Sequence, residues 1–151
     1  MTSGFKIPRS VLVVIHTADL QVLMLERSGW PGFWQSVTGS VDYEDEPLMQ
    51  TAAREVREET GFDASIYPIE DWNIENNFEI FKTFRTRYAP EVTHNLEHLF
   101  GLELPAKLPP QLDPTEHLRY EWLPWEDAAA RTISWTNRDA ILLLPQKRRA
   151  R

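Results

Sequence analysis

Three carboxylates close together in the chain, Glu55, Glu58 and Glu59, are the residues most able to do chemistry. In a helix, at about 100° per residue, Glu55 and Glu59 stand one turn apart on one side, with Glu58 beside them. Like charges at that spacing repel by about 0.2–0.5 kcal/mol per pair, so a cation is expected to compensate. Arg54 lies four residues before Glu58 and can pair with it. An acidic helix face is ordinarily just solvated. Here, however, Gly39 and an acidic loop, Asp42-Tyr43-Glu44-Asp45-Glu46, precede the helix. All-oxygen donors of this kind suit a hard divalent cation such as Mg2+, which keeps water and phosphate oxygens as its other ligands.

The charge balance points the same way. The 151 residues carry 16 Lys and Arg against 23 Asp and Glu, a formal charge of −7. Such a chain lacks the positive field that sequence-independent binding to nucleic acid needs. An anionic substrate would need a metal ion between itself and the protein. With no cysteine there is no disulfide, thiolate metal site or thiol nucleophile. At 42% apolar the chain can bury one core, so residues 1–151 read as a single domain. The apolar run at residues 11–15, behind Lys6 and Arg9, is too short to span a bilayer or to form a signal-peptide core. A cytoplasmic protein with no membrane partner is the expectation.

The elements that must position these groups follow from periodicity. Residues 11–15 and 22–25 predict a strand hairpin, and residues 33–38 a third strand entered through Trp30-Pro31-Gly32. From residue 47 to 60 the period changes. Leu48, Met49, Ala52, Ala53 and Val56 form a helical stripe, with Pro47 in the first turn, Asp45 or Glu46 as cap and Gly61 as the stop. The acidic arc borders this stripe, which places Glu59 at the edge of solvent. Residues 77–88 alternate as a strand, 97–104 and 118–123 predict two more, and four prolines make 104–114 a loop. Short helices are expected at 125–130 and 137–144, then a frayed basic tail, Lys147 to Arg151. His94, His98 and His117 show no partner spacing that suggests catalysis.

Gly39, Glu46 and Arg54-Glu55-Val56-Arg57-Glu58-Glu59-Thr60-Gly61-Phe62 together resemble the signature box of the Nudix hydrolases. Six residues separate Gly39 from Glu46 where that family usually has five, so Asp45 or Glu44 could stand in the place of Glu46. The resemblance implies an α/β/α sandwich of the α+β class, a mixed sheet between helices. It also implies hydrolysis of a diphosphate linked to another group, with Mg2+ or Mn2+. Glu55 and Glu59 would be metal ligands, Glu58 and Glu55 the catalytic carboxylates, and Gly39, Glu46 and Arg54 their supports, with Arg54 orienting Glu58.

Further segments resemble the pterin-triphosphate branch of the family: residues 33–41, Phe78-Glu79-Ile80-Phe81, Arg87-Tyr88-Ala89-Pro90, Thr115-Glu116-His117-Leu118 and Ser134-Trp135-Thr136-Asn137-Arg138. This closer likeness implies release of pyrophosphate from dihydroneopterin triphosphate, a step of folate synthesis. Glu116 would be a third metal ligand, and Lys6, Arg27 and Thr38 would contact substrate. Phe78, Glu79, Ile80 and Phe81 would border the ring, with Glu79 accepting from its N–H edge, and Ser134 would close the pocket. The nearest alternative is a nucleoside triphosphate pyrophosphatase acting on dATP or oxidised nucleotides. The alternative of another class is a Nudix-fold binding module without turnover.

Overall fold

In the computed structural model, residues 4–149 are described. The hairpin is β1 (Arg9–Thr17) with β2 (Gln21–Arg27), antiparallel. The third predicted strand is split into β3 (Trp34–Gln35), on β2, and β4 (Val37–Ser40), on β1. The carboxylate helix is α1 (Leu48–Thr60). Then come β5 (Ile69–Glu79), β6 (His94–Leu104) and β7 (His117–Pro124), followed by α2 (Trp125–Arg131), α3 (Trp135–Leu142) and α4 (Leu144–Arg149). The sheet runs β3-β2-β1-β6-β5, with β7 on β2; β1 and β6 are parallel and β5 and β6 antiparallel, so the sheet is mixed.

The strand period of two explains the layers. Val11, Val13 and Ile15 of β1 pack with Ala52 and Val56 of α1, whereas Leu12 and Val14 pack with Ala128, Ala129, Ala140 and Ile141 of α2 and α3. Helices therefore cover both faces, as an α/β/α sandwich requires. Each buried valine, leucine or isoleucine among them contributes about 1.5–3 kcal/mol.

Four local expectations are corrected. Residues 82–87 form a 3-10 turn rather than the end of a strand. In that geometry residues three apart lie on one side, so Phe81 and Phe84 both reach Trp30 and Phe33. No side chain caps α1; Pro47 occupies the cap position. The buried stripe of α1 is rotated away from Met49, which is exposed, toward Thr51, Ala52, Val56, Glu59 and Thr60. Thr51 and Thr60 tolerate burial because their hydroxyls donate to the carbonyls of Pro47 and Val56. Finally, the basic tail is helical as far as Arg149, and Arg148 pairs with Glu103 at 2.6 Å; Arg151 lies outside the described residues.

Candidate active site

The helix is placed by its ends and by one buried carboxylate. Gly61 adopts φ 80°, and its N–H closes the last turn on the Arg57 carbonyl, so the chain leaves abruptly after Thr60. At the other end Glu46 is 1% exposed. Its Oε1 accepts from the Asp42 N–H at 2.8 Å and from Arg54 at 3.0 Å. Glu44 and Asp45 are exposed, so the longer loop has kept Glu46 in the buried place. Burial alone would raise its pKa, but the bonds from Arg54, Asp42 and Thr51 hold it below the usual value. Arg54 also donates to Glu55 at 2.8 Å and to the Ser40 carbonyl at 3.2 Å, and it pairs with Asp42 at 3.2 Å. Glu58 is 3.8 Å away, the longest of its ion pairs. Arg54 thus orients Glu55 and Glu46 more than the Glu58 expected from spacing.

Glu59 is only 2% exposed, contrary to its expected place at the edge of solvent. Rotation of the buried stripe carries it under the sheet, where the Thr38 backbone and Glu55 bond its carboxyl. Its Oε1 is buried without a hydrogen-bond partner and lies 3.7 Å from Nε2 of buried His117. Burial, then Glu55 and Glu116, push Glu59 well above the usual carboxylate pKa, and burial also raises Glu55. Burial and the nearby Arg27 push His117 down to about 4, so it is neutral and offers Glu59 no charge.

Glu55, Glu58, Glu59 and Glu116 line one cleft of about 1090 Å3. Among the described residues no three acidic or histidine side chains already converge on one point as a cation would draw them. The place nevertheless fits a hard cation. The donors are all carboxylates, two share a hydrogen bond across their mutual repulsion, and a buried oxygen is unsatisfied.

The cleft opens onto a second, smaller cavity of about 110 Å3 walled by Phe33, Phe78, Ile80, Phe81 and Phe84. Lys6, Arg27 and Arg87 line both, forming a cationic seam between them. Burial, then the neighbouring Arg87, lowers the pKa of both Lys6 and Arg27, against the opposing pull of Glu116. Arg27 is set by its stack on the Phe84 ring, 4.6 Å from the centroid. An acidic cleft, a basic seam and an aromatic slot in a row match a metal-bound phosphate chain ending in a flat ring.

Comparison with known proteins agrees with this geometry: the NUDIX domain model matches residues 6–144. The chain belongs to the Nudix family. This Nudix chain is 50% identical over 140 residues to dihydroneopterin triphosphate diphosphatase of Escherichia coli K12, covering 91% of each. It is 43% identical to the Haemophilus influenzae enzyme of the same name, over 91% of this chain and 87% of that one. The solved E. coli dihydroneopterin triphosphate pyrophosphohydrolase superposes with a TM-score of 0.86 at 47% identity, covering 92% of this chain and 95% of that one.

In this Nudix domain most of the expected site residues come together. Glu55, Glu58, Glu59, Glu116, Lys6, Arg27, Thr38 and Gly39 line the cleft, and Phe78, Ile80, Phe81 and Ser134 line the slot. Ser134 is at the same time the cap of α3, accepting from the Asn137 N–H at 3.4 Å and pairing with the Thr136 hydroxyl at 3.1 Å. Glu79 is a correction. It alternates with Phe78 and Ile80, so it turns to solvent and does not line the slot. Sequence reasoning missed Arg87, Phe84, Asn95 and Glu97. The last two had a signal: they share strand parity with buried Leu99, an odd place for polar residues.

Proposed function

We propose that this Nudix domain hydrolyses dihydroneopterin triphosphate to the monophosphate and pyrophosphate, with Mg2+ as its cation, and that residues 1–151 work as one unit. The observation that carries the reading is the seam: Lys6, Arg27 and Arg87 stand between a carboxylate cleft and an aromatic slot. The half-identical E. coli relative supports the choice of substrate. Glu55, Glu59 and Glu116 would hold Mg2+, which offsets the charge that builds on the phosphoryl oxygens. Lys6, Arg27 and Arg87 bind the phosphate chain from the opposite side. Arg54 fixes Glu55, and the exposed carboxylate of Glu58, standing in the cleft, takes the proton of the attacking water. Phe78, Phe81 and Phe84 stack the heterocycle. A cytoplasmic step of folate synthesis goes with this reading.

The test is product identification with dihydroneopterin triphosphate and Mg2+ in 18O-labelled water. Pyrophosphate and dihydroneopterin monophosphate are expected, with label in one of them. A much larger kcat/KM for dATP or an oxidised nucleotide would assign the nucleotide reading instead. No pyrophosphate from any triphosphate would make the domain a binding module.

A further inference from the structure

The aromatic slot contains two buried acceptors that the fold leaves unused. Asn95 and Glu97 are two apart on β6, so both project to the same side, into the slot. They are 2% and 4% exposed. Asn95 spends its Nδ2 on the Ser10 hydroxyl at 2.6 Å, and among the described residues its Oδ1 has no partner. The Thr136 hydroxyl bonds the Glu97 carboxyl, yet Oε1 of Glu97 is likewise without a partner. A buried polar atom left unsatisfied costs about 1–3 kcal/mol, and more where it is charged. A hydrophobic pair here would pack better. What two such acceptors can receive is a pair of donors.

Resting on the function proposed above, we infer that Glu97, with Asn95 beside it, is the specificity determinant for the heterocycle: it accepts the adjacent ring N–H and amino N–H of a 2-amino-4-oxo pyrimidine edge. An ionised carboxylate only accepts, through two oxygens set side by side. Pterin and guanine present two donors side by side on that edge, whereas adenine presents a donor beside an acceptor. The phenylalanine walls hold the ring plane, and the phosphate chain leaves toward the seam. The electrostatics agree. Burial raises Glu97 to about 7, so its charge is poorly satisfied in the free protein, and two N–H donors would supply what is missing.

The experiment compares dihydroneopterin triphosphate, dGTP, dITP and dATP with the wild type and with Glu97→Gln, by kcat/KM, and by calorimetric Kd where turnover is too slow to read. Hypoxanthine lacks the 2-amino group, so the wild type is expected to prefer dGTP to dITP by 10-fold or more. Glutamine replaces one acceptor by a donor. Glu97→Gln should therefore lose about 30-fold or more on the pterin substrate and dGTP, mainly in KM because the contact is remote from the reacting phosphorus, while dATP, whose donor beside an acceptor matches the glutamine amide, is held as well or better. Equal treatment of dGTP and dITP by the wild type, recognition of neither, or an unchanged pterin KM in a folded Glu97→Gln overturns the inference. If the variant does not fold, the wild-type dGTP to dITP ratio decides alone. Failure of the wild type to cleave the pterin substrate would instead overturn the proposed function, whatever that ratio is.

Discussion

Gly39 and Glu55 leave no space between them: a Cβ built on Gly39 would overlap the carboxyl end of the Glu55 side chain. The glycine is thus required by a side chain one layer away, across the β4–α1 contact, and not by a turn. Gly39→Ala should push Glu55 off its bond to Arg54 while changing little else. Turnover is expected to fall 100-fold or more, and the Mg2+ concentration for half-maximal activity to rise about 10-fold, with a Tm within a few degrees of wild type. Unchanged Mg2+ dependence in the folded variant would show that the position of Glu55 does not matter.

Glu59 is buried beside a neutral His117, with Glu55 and Glu116 adding negative charge. Without a cation it weakens the fold, because the buried carboxyl must either hold a proton that the unfolded chain releases or carry an uncompensated charge. Glu59→Gln should melt at an equal or higher temperature than wild type in EDTA, yet gain far less from Mg2+, since a ligand stabilises only the state that binds it. Activity should drop at least 1000-fold. Thermal melts with and without Mg2+ check this; an Mg2+-induced rise equal to that of wild type would remove Glu59 from the cation site.

Glu116 stands on an exposed turn at the lip of the cleft, where its carboxylate is felt by Glu59 and Lys6. Nothing in the core depends on it. Glu116→Gln should therefore leave urea unfolding unchanged and raise the Mg2+ requirement about 10-fold. An identical Mg2+ titration would exclude it as a ligand.

Glu97 has a folded pKa of about 7 against an ordinary value of 4.5. The folded state therefore keeps the proton that the unfolded chain releases, and stability falls as pH rises from about 4.5 to 7. That difference corresponds to about 3 kcal/mol. Glu97→Gln should match wild type near pH 4 and exceed it by about 1–3 kcal/mol at pH 8 in substrate-free urea titrations. Parallel pH profiles for the two proteins would contradict this.

Legibility from sequence ended where tertiary contacts overrode local period. The hairpin, the carboxylate helix and its Gly61 stop follow from spacing alone, because each is decided within a dozen residues. The 3-10 turn at 82–87 did not, since Phe78, Ile80 and Phe84 keep strand parity by coincidence while Phe81 and Phe84 answer to Trp30 and Phe33. The burial of Glu59 was hidden because two threonines, polar in composition, belong to the buried face of α1. In the site, the signature helix was readable residue by residue. The acceptors of the slot left only their strand parity with Leu99 as a signal, because Glu79 and Glu97 are both glutamates in strands, and which one turns inward is set by the pairing of β5 with β6.

The seam of Lys6, Arg27 and Arg87 divides labour between two walls that come from different parts of the chain, the carboxylates of α1 with Glu116 on one side and β5, β6 and the 3-10 turn on the other. Substitutions on β5 and β6 can exchange one heterocycle for another while the hydrolytic wall stays as it is. A lineage carrying this architecture can change its diet without relearning how to cut.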